Sequence, residues 1–250
     1  MWKDRLVSID ALQQVLQRQP LSHWLSAAEL QRLPEMPSDE RRLRWLGGRW
    51  VAKQLLQELL GDTIQSPSAL HIESRDALGR ASRPRVLYQG RLQSWPLTIS
   101  HGTRSVYAAA SLDPNLRMGA DVIDRTPLDA AFVRFWFSPA ERSWCRQTRW
   151  PLASCAIWSF KESWYKAAHA GQPFAPRRID MTRVAPVLRT SADEFSRADK
   201  DDVVLRGDPC TMHCRRLPHE IATLVLIRSE RTEPAEPLPA VPLSPTADPT

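Results

Sequence analysis

The chain of 250 residues shows the same order of patterns twice, once on each side of Asp124: helical segments rich in Leu and Trp precede groups of short β-type runs. Helices and strands in separate groups, without a repeated strand–helix–strand unit, are typical of the α+β class with antiparallel sheets. A glycine-rich phosphate loop is also missing, so Rossmann and P-loop folds lose support. We expect an α+β chain that divides near Asp124, in the manner of a weak internal duplication.

In the first half, two helix starts are marked by serines. Ser26 begins a Ser-Ala-Ala-Glu box, in which serine and glutamate satisfy each other's free backbone N–H groups. A longer helix is predicted from near Ser38 to Gly61, because leucines recur at helical spacing up to that glycine. Strands are predicted at residues 70–73, 97–100, 105–111 and 118–123, the last two forming a hairpin around Asp113-Pro114-Asn115.

In the second half, Ser138-Pro139-Ala140-Glu141 marks another helix start with its own capping box. Pro151 opens a further helix that carries residues 153–170 and ends at Gly171. Strands are predicted at residues 178–181, 203–206, 211–215 and 221–227. The alternating prolines that follow cannot support a core, so residues 229–250 are predicted to be a disordered tail.

Composition limits the class of protein. The chain is 42% hydrophobic and 25% charged, an ordinary globular balance that excludes full-length disorder. It has no apolar stretch of the roughly 20 residues that a membrane helix needs, and its start lacks the apolar run of a secretory signal, so we expect a cytoplasmic protein. The net charge of +6 favours an anionic partner.

The four cysteines are too few for a disulfide framework, and we expect free thiols. Cys210, His213, Cys214 and His219 lie close in sequence, and the Cys-x₃-Cys spacing falls within the range of zinc sites. These residues occupy a predicted strand, however, where alternate side chains point to opposite faces. We therefore favour free thiols over a zinc site.

Three segments carry candidate chemistry. On the helix around residues 158–166, a spacing of four places Trp158, Glu162 and Lys166 on one face, although an ordinary i,i+4 ion pair has the same spacing. Asp121 lies within an apolar strand run after Gly119, where an acid needs a metal-binding or a capping role, and the residues alone favour neither. Ser-His-Gly ends the strand predicted at 97–100, and its histidine gains significance only from its neighbours.

Taken together and in order, these segments resemble the signature blocks of the 4′-phosphopantetheinyl transferases, specifically the two-lobed, surfactin-synthetase-activating type. That kind activates carrier proteins of nonribosomal peptide, polyketide, siderophore and lysine biosynthesis. The resemblance extends over residues 1–228. Its most specific block is W-S-x-K-E-S-x-x-K at residues 158–166. The other blocks are the arginine-rich helix with Arg44, Arg49, Lys53, Leu55 and Leu56, then Arg83-Pro84, Ser100-His101 and Gly119-Ala120-Asp121.

The resemblance implies Mg²⁺-dependent transfer of the phosphopantetheine arm of coenzyme A to a serine of an apo acyl or peptidyl carrier protein, releasing adenosine 3′,5′-bisphosphate. Asp121 and Glu162 match the family's metal-binding acids, with Mg²⁺ or Mn²⁺ as the ion. Glu162 and Lys166 match its catalytic pair, which takes the serine proton and neutralises the pyrophosphate. The residues matching coenzyme A contacts are Arg44, Arg49, Arg83, Ser100, His101, Asp121, Lys161 and Lys166.

The resemblance also implies a pseudo-dimer of two similar lobes, each a small antiparallel sheet packed with helices. The lobes would be residues 1–124 and 125–228, with coenzyme A in the cleft between them. Since the second lobe would replace a partner subunit, we expect a monomer. The expected partners are coenzyme A and a carrier protein that approaches with an acidic helix, with no nucleic acid and no membrane.

One position departs from the family pattern, in which a second metal acid stands two residues after the aspartate. Here that residue is Ile123, and Asp124 is a reserve candidate. Two alternatives therefore stay open: a degenerate transferase that binds coenzyme A or carrier protein without turnover, and a basic protein that binds nucleic acid through the surface around Arg41 and Arg49.

Overall fold

The computed structural model describes residues 1–148, 150–168, 173–189, 192, 202–207 and 210–228. Within these residues the chain is α+β, as predicted, with small antiparallel sheets and helices packed against them. The helices are α1 Ile9–Arg18, α2 Ala27–Gln31, α3 Asp39–Leu60, α4 Ala130–Trp136, α5 Pro139–Gln147, α6 Ala153–Ala168 and α7 Met181–Val184. The strands are β1 Trp2–Ser8, β2 Leu70–Arg75, β3 Ala81–Tyr88, β4 Arg91–Gln93, β5 Leu97–His101, β6 Ser105–Ser111, β7 Leu116–Asp124, β8 Asp202–Arg206, β9 Cys210–Arg216 and β10 Glu220–Arg228.

The helix starts predicted from serines are confirmed. Ser26 and Ser138 each form a complete capping box with the glutamate three residues later, and Ser38 accepts the backbone N–H of Arg41 at the start of α3. Gly61 ends α3. Helix α6 starts at Ala153, and the predicted end at Gly171 lies outside the described residues, as does the predicted tail at 229–250.

The described strands form three antiparallel sheets, in the orders β1-β6-β5, β2-β3-β4 and β7-β10-β9-β8. The predicted hairpin of β6 and β7 is wrong. Strand β6 pairs with β1 on one side and β5 on the other, so neither of its edges is free, and β7 pairs with β10 about a hundred residues later in the chain. The chain therefore passes from one sheet to another between β6 and β7. The lobe boundary near Asp124 stays a prediction.

The predicted strand at 178–181 is also wrong. A short 3₁₀ turn, Pro176–Arg178, is followed there by α7. Asp180 accounts for the helical turn, because its side chain accepts the backbone N–H of Thr182 as an N-cap. The strands predicted near 203–206, 211–215 and 221–227 are confirmed as β8, β9 and β10.

Each half of the chain packs a long helix on a sheet. Helix α3 packs on β6 and α6 packs on β7 and β10. Each buries an apolar face, with Leu55 and Leu56 in the first core and Ile157 and Phe160 in the second, all at most 1% exposed. Burial of such faces holds each helix in place on its sheet.

The two halves repeat one buried element. Trp24-Leu25-Ser26-Ala27-Ala28-Glu29 has its counterpart in Trp136-Phe137-Ser138-Pro139-Ala140-Glu141. In each copy the capping glutamate forms a buried ion pair with a lysine of the following long helix, Lys53 or Lys161. Each lysine also donates to the carbonyl oxygen of its copy's tryptophan.

The remaining partners of the two pairs correspond as well. Lys53 donates to the carbonyl of Leu70, and Glu29 accepts from the backbone N–H of Ile72, two residues on. In the second copy the two backbone groups belong to Ile179 and Met181. The same network thus anchors a long helix in each half of the chain, which supports the similarity of the two halves.

Candidate active site

The site lies where the edge strand β5 of one sheet meets the edge strand β7 of another. Side chains of β5 make the connection: Thr98 Oγ1 accepts from the backbone N–H of Ala120 at 2.9 Å, and Ser100 Oγ donates to Asp121 Oδ1 at 3.2 Å. Thr98 and Ser100 are two residues apart and therefore share one face of their strand. We call this contact between β5 and β7 the seam. It places Ser100 within hydrogen-bonding distance of Asp121.

Asp121 is 5% exposed and is surrounded by donors. Lys166 Nζ lies 2.8 Å from Oδ1, and Ser159 Oγ donates to Oδ2 at 2.8 Å. Glu162 Oε2 lies 3.9 Å from the same Lys166 ammonium. We call Asp121, Glu162 and Lys166 the carboxylate cluster. Its members come from β7 and from successive turns of α6, as the spacing of four predicts.

Gly119 allows α6 to approach β7 closely. A Cβ at position 119 would overlap the carbonyl oxygen of Ser163 and would lie 2.7 Å from the backbone nitrogen of Ala167. Only glycine leaves room for the backbone of α6 against β7. This close approach places Glu162 and Lys166 within reach of Asp121.

Glu162 lies in an environment that disfavours its charge. Burial, the neighbouring Asp121 carboxylate and a hydrogen bond shared with Asp121 together raise the pKa of Glu162 to about 7, against the opposing effect of Lys166. Trp158 donates a hydrogen bond to Glu162, so Trp158, Glu162 and Lys166 do share a face of α6.

A large basic cleft opens beside the cluster, with a volume of about 1140 Å³. Its walls come from α3, the β2–β3 hairpin, β5 and the end of α6. Among the lining residues that the structure describes, Asp76 is the one acid, whereas eight are cationic. These are Arg32, Arg41, Arg44, Arg49, Arg75, Arg80, Arg83 and Lys166. Positive charge is thus concentrated along this cleft, where an anionic partner would be attracted.

His101 borders the cleft and keeps an exposed edge there. Its pKa is lowered to about 4, first by the protein atoms that surround the ring and then by the positive charges of Arg49, Lys166 and Arg44. The imidazole is therefore neutral near pH 7 in the ligand-free protein.

The three predicted coenzyme A arginines differ in their surroundings. Arg44 is half-exposed and pairs with Glu40 at 2.7 Å. Arg49 is only 2% exposed, lies over the Trp45 ring and donates to Ser74. Arg83 donates to the carbonyls of Lys166 and Ala167 at the C-terminal end of α6, 2.6 and 2.8 Å away.

Arg83 and Arg49 are thus partly committed to structural contacts. Arg83 satisfies carbonyls that a helix end leaves without intrahelical partners, and Arg49 also lies 3.6 Å from Glu29. Both nevertheless line the cleft together with Arg44.

Lys161 does not reach the cleft, which corrects its assignment as a coenzyme A contact. It is 1% exposed, and its ammonium is held by Glu141 at 2.9 Å and by the carbonyls of Trp136, Pro176 and Ile179. Adjacent positions on a helix point about 100° apart, so Glu162 faces the seam while Lys161 faces the core.

The structure also separates the two neighbours of Asp121 that bear on metal binding. Ile123 is half-buried against the core that contains Ile157 and Phe160, and its side chain supplies no ligand atom. Asp124 lies on the opposite face of β7 from Asp121, is exposed, and accepts a hydrogen bond from Thr103. Asp124 therefore does not join the carboxylate cluster.

The donor set fits a hard divalent cation. Asp121 and Glu162 offer carboxylate oxygens, and Mg²⁺ is commonly held by one or two carboxylates together with phosphate oxygens and waters. Among the described residues, no group of three or more His, Cys, Asp or Glu side chains is placed to hold a metal. A metal here would therefore depend on oxygens of the substrate.

The alternative zinc site does not form. Cys210 and Cys214 point into the C-terminal core and His213 points to the other face of β9. All four cysteines are free, as predicted, and burial raises the pKa of the Cys214 thiol to about 12.

Several residues of the site were not predicted from the sequence. Ser159, which holds Asp121, lies on the face of α6 that also carries Glu162 and Lys166, and this spacing was a usable signal. Thr98 was accessible in the same way, since it alternates with Ser100 on β5. The arginines at 32 and 75 carried no signal, because they reach the cleft only through tertiary structure.

Comparison with known proteins agrees with these observations over part of the chain. A family model described as the 4′-phosphopantetheinyl transferase superfamily matches residues 117–205, which include Asp121, Glu162 and Lys166. No curated protein matches the chain. None of the described helices is both long and apolar enough to cross a membrane. The match supports a relation between this part of the chain and that superfamily.

Proposed function

We propose that this protein transfers the 4′-phosphopantetheine arm of coenzyme A to a serine hydroxyl of an apo acyl or peptidyl carrier protein. The observation that carries the proposal is a cleft of about 1140 Å³ with eight cationic lining residues, one of which, Lys166, belongs to the carboxylate cluster. A cleft of this kind suits a ligand with several phosphates better than an extended duplex, which favours coenzyme A over nucleic acid.

In the proposed reaction the serine oxygen attacks the phosphorus on the pantetheine side of the pyrophosphate. The bond from that phosphorus to the bridging oxygen breaks, and adenosine 3′,5′-bisphosphate leaves. Glu162 accepts the proton of the attacking serine, since its carboxylate belongs to the carboxylate cluster and is a third exposed. Lys166 stabilises the negative charge that develops on the phosphates.

The cluster residues would hold one divalent cation, Mg²⁺ or Mn²⁺, through Asp121 and Glu162. Such an ion, when bound, neutralises charge on the transferred phosphoryl group and the leaving phosphate. Ser100 and Ser159 orient the Asp121 carboxylate through their hydroxyl groups. The absence of an acid at Ile123 leaves more of the coordination to the pyrophosphate and water.

The cationic side chains of the cleft would bind the phosphates of coenzyme A. Arg44 is the most available of the predicted set, because its partner Glu40 is exposed and the ion pair is an ordinary surface contact. Arg49 and Arg83 offer their remaining N–H groups, and His101 offers an imidazole N–H.

An aromatic surface beside Glu162 is the proposed contact for the carrier protein. Phe135 of α4 is 52% exposed and Phe174 is 36% exposed, and the latter packs against Trp158. Arg177 lies over the Phe135 ring. An apolar surface with a basic neighbour suits a carrier helix whose apolar side chains are flanked by acids.

The subtype, the oligomeric state and the cellular location of the protein are part of this proposal. We propose the two-lobed, surfactin-synthetase-activating type, because the arginine-rich helix and the Ser100-His101 pair precede the region that the family model matches. We further propose a monomer acting in the cytoplasm. Peptide, polyketide, siderophore and lysine-pathway carriers are all candidate substrates.

The test is intact-mass spectrometry of several apo acyl and peptidyl carrier proteins after incubation with the protein, coenzyme A and Mg²⁺. The expected result is the addition of one phosphopantetheine, lost with EDTA and with Glu162→Gln. Coenzyme A binding without transfer to any carrier would instead indicate a degenerate transferase. Absence of coenzyme A binding, with salt-sensitive retention of RNA or DNA on a filter, would favour the nucleic-acid-binding alternative.

A further inference from the structure

The seam between β5 and β7 is held by side chains. Among the described strands these two share no backbone ladder, and β5 reaches β7 through the hydroxyl groups of Thr98 and Ser100. A ladder fixes the register of two strands with a bond at every second residue, whereas two side-chain bonds leave more freedom. The alignment of Ser100 and His101 with Asp121 therefore depends on what holds the end of the seam.

Glu220 holds that end, together with Thr103, whose hydroxyl donates to Asp124. Glu220 is the first residue of β10 and is 2% exposed. Its Oε1 accepts the backbone N–H of Arg104 at 2.8 Å, and its Oε2 accepts the Ser105 hydroxyl at 2.5 Å. Arg104 lies in the turn that follows His101 and Ser105 is the first residue of β6, so this carboxylate ties the end of β5 to the sheet that carries the carboxylate cluster.

The fit of this contact is close. A Cβ at position 102 would overlap Glu220 Oε1, so only glycine lets the carboxylate enter the turn. Within its own sheet Glu220 lies opposite Asp124 at the end of β7. A buried carboxylate is costly unless hydrogen bonds compensate for lost water, and here the compensation comes from the other sheet.

We propose that Glu220 is a positioning residue, which sets the place of Ser100 and His101 relative to the carboxylate cluster. It touches no reacting atom and acts through residues 102–105, which connect β5 to β6. Its effect on catalysis rests on the proposed function, whereas its effect on His101 does not.

The experiment compares Glu220→Ala, Glu220→Gln and Arg215→Ala. Glutamine keeps an oxygen for the Arg104 N–H and an amide that can donate to Ser105. Arg215→Ala is the matched control, because it removes another contact between the two sheets, the Arg215–Asp4 ion pair at 3.2 Å, away from His101. The readouts are the NMR signal of the His101 ring in the ligand-free protein, assigned with His101→Asn, and separate KM and kcat values for coenzyme A and carrier protein.

Glu220→Ala should move or broaden the His101 signal and lower kcat/KM for coenzyme A by roughly 100-fold, the scale of a misplacement of about 1 Å. KM for the carrier protein should stay unchanged. Glu220→Gln should restore the His101 signal and most of the activity, and Arg215→Ala should match the wild type in both. An unchanged His101 signal in Glu220→Ala, or an equal change in Arg215→Ala, would overturn the proposal.

A second variant tests the role of Glu220 independently, and the NMR comparison separates that role from the proposed function. If Glu220→Ala does not fold, Ser105→Ala removes one of the two hydrogen bonds and should move the His101 signal in the same direction by less, while an unmoved signal would contradict the proposal. Failure of the wild type to modify any carrier would refute the proposed function alone, since the NMR comparison requires no coenzyme A.

Discussion

The Lys161→Met variant should lose stability and keep its affinity for coenzyme A. Methionine fills a volume close to that of the lysine chain but donates no hydrogen bond. The substitution leaves the Glu141 carboxylate, which is fully buried, without its cation, and it removes donors from three backbone carbonyls. Breaking a buried ion pair in this way costs about 3–5 kcal/mol.

Urea unfolding followed by tryptophan fluorescence measures this loss. At about 2–4 °C for each kcal/mol in a chain of this size, the melting temperature should fall by roughly 6–20 °C. Calorimetry at a temperature where the variant remains folded should give a dissociation constant for coenzyme A equal to that of the wild type. Weaker coenzyme A binding with an unchanged free energy of unfolding would refute the assignment of Lys161 to the core.

Two further variants are the matched controls. Lys53→Met removes the equivalent ammonium in the first half, which is fully buried against Glu29, and should cost a similar free energy of unfolding. Lys166→Met lies on the same helix as Lys161 but is 30% exposed at the cleft. It should weaken coenzyme A binding with a smaller loss of stability.

Three other outcomes are expected. Gly119→Ala forces α6 away from β7 and should cost about 1–3 kcal/mol of unfolding free energy, with a lower transfer rate in the mass assay. The pKa of His101 is lowered to about 4 in the folded protein, so the unfolded chain binds its proton first as the pH falls from about 6.5 to 4. Unfolding free energy should therefore decline over that window more in the wild type than in His101→Asn; equal slopes in urea titrations would contradict this. Phe135→Ser should raise KM for the carrier protein without changing coenzyme A affinity, and a KM equal to that of the wild type would argue against this docking face.

The local signals of the sequence were sufficient for the helix starts and for the shared helix face of Glu162 and Lys166. Ser26, Ser38 and Ser138 cap helices because a serine side chain reaches a backbone N–H only two or three residues away. Glu162 and Lys166 share a face because the helix repeat places residues four apart side by side. Such interactions depend on neighbours in the chain and are encoded where they occur.

Strand pairing and the direction of Lys161 depended on the tertiary structure. β6 and β7 are joined by a short turn, yet their partners are β1, β5 and β10, because burial of both sheet faces outweighs the local turn signal. Lys161 and Glu162 are neighbours of similar polarity, and only the packing of α6 directs Lys161 to a set of buried carbonyls and Glu162 to the seam beside Lys166. By itself the sequence determined the α+β class, the helix caps and the residue types of the site. Which charged groups meet was decided by long-range packing, since contacts between distant segments leave no periodic pattern in the chain.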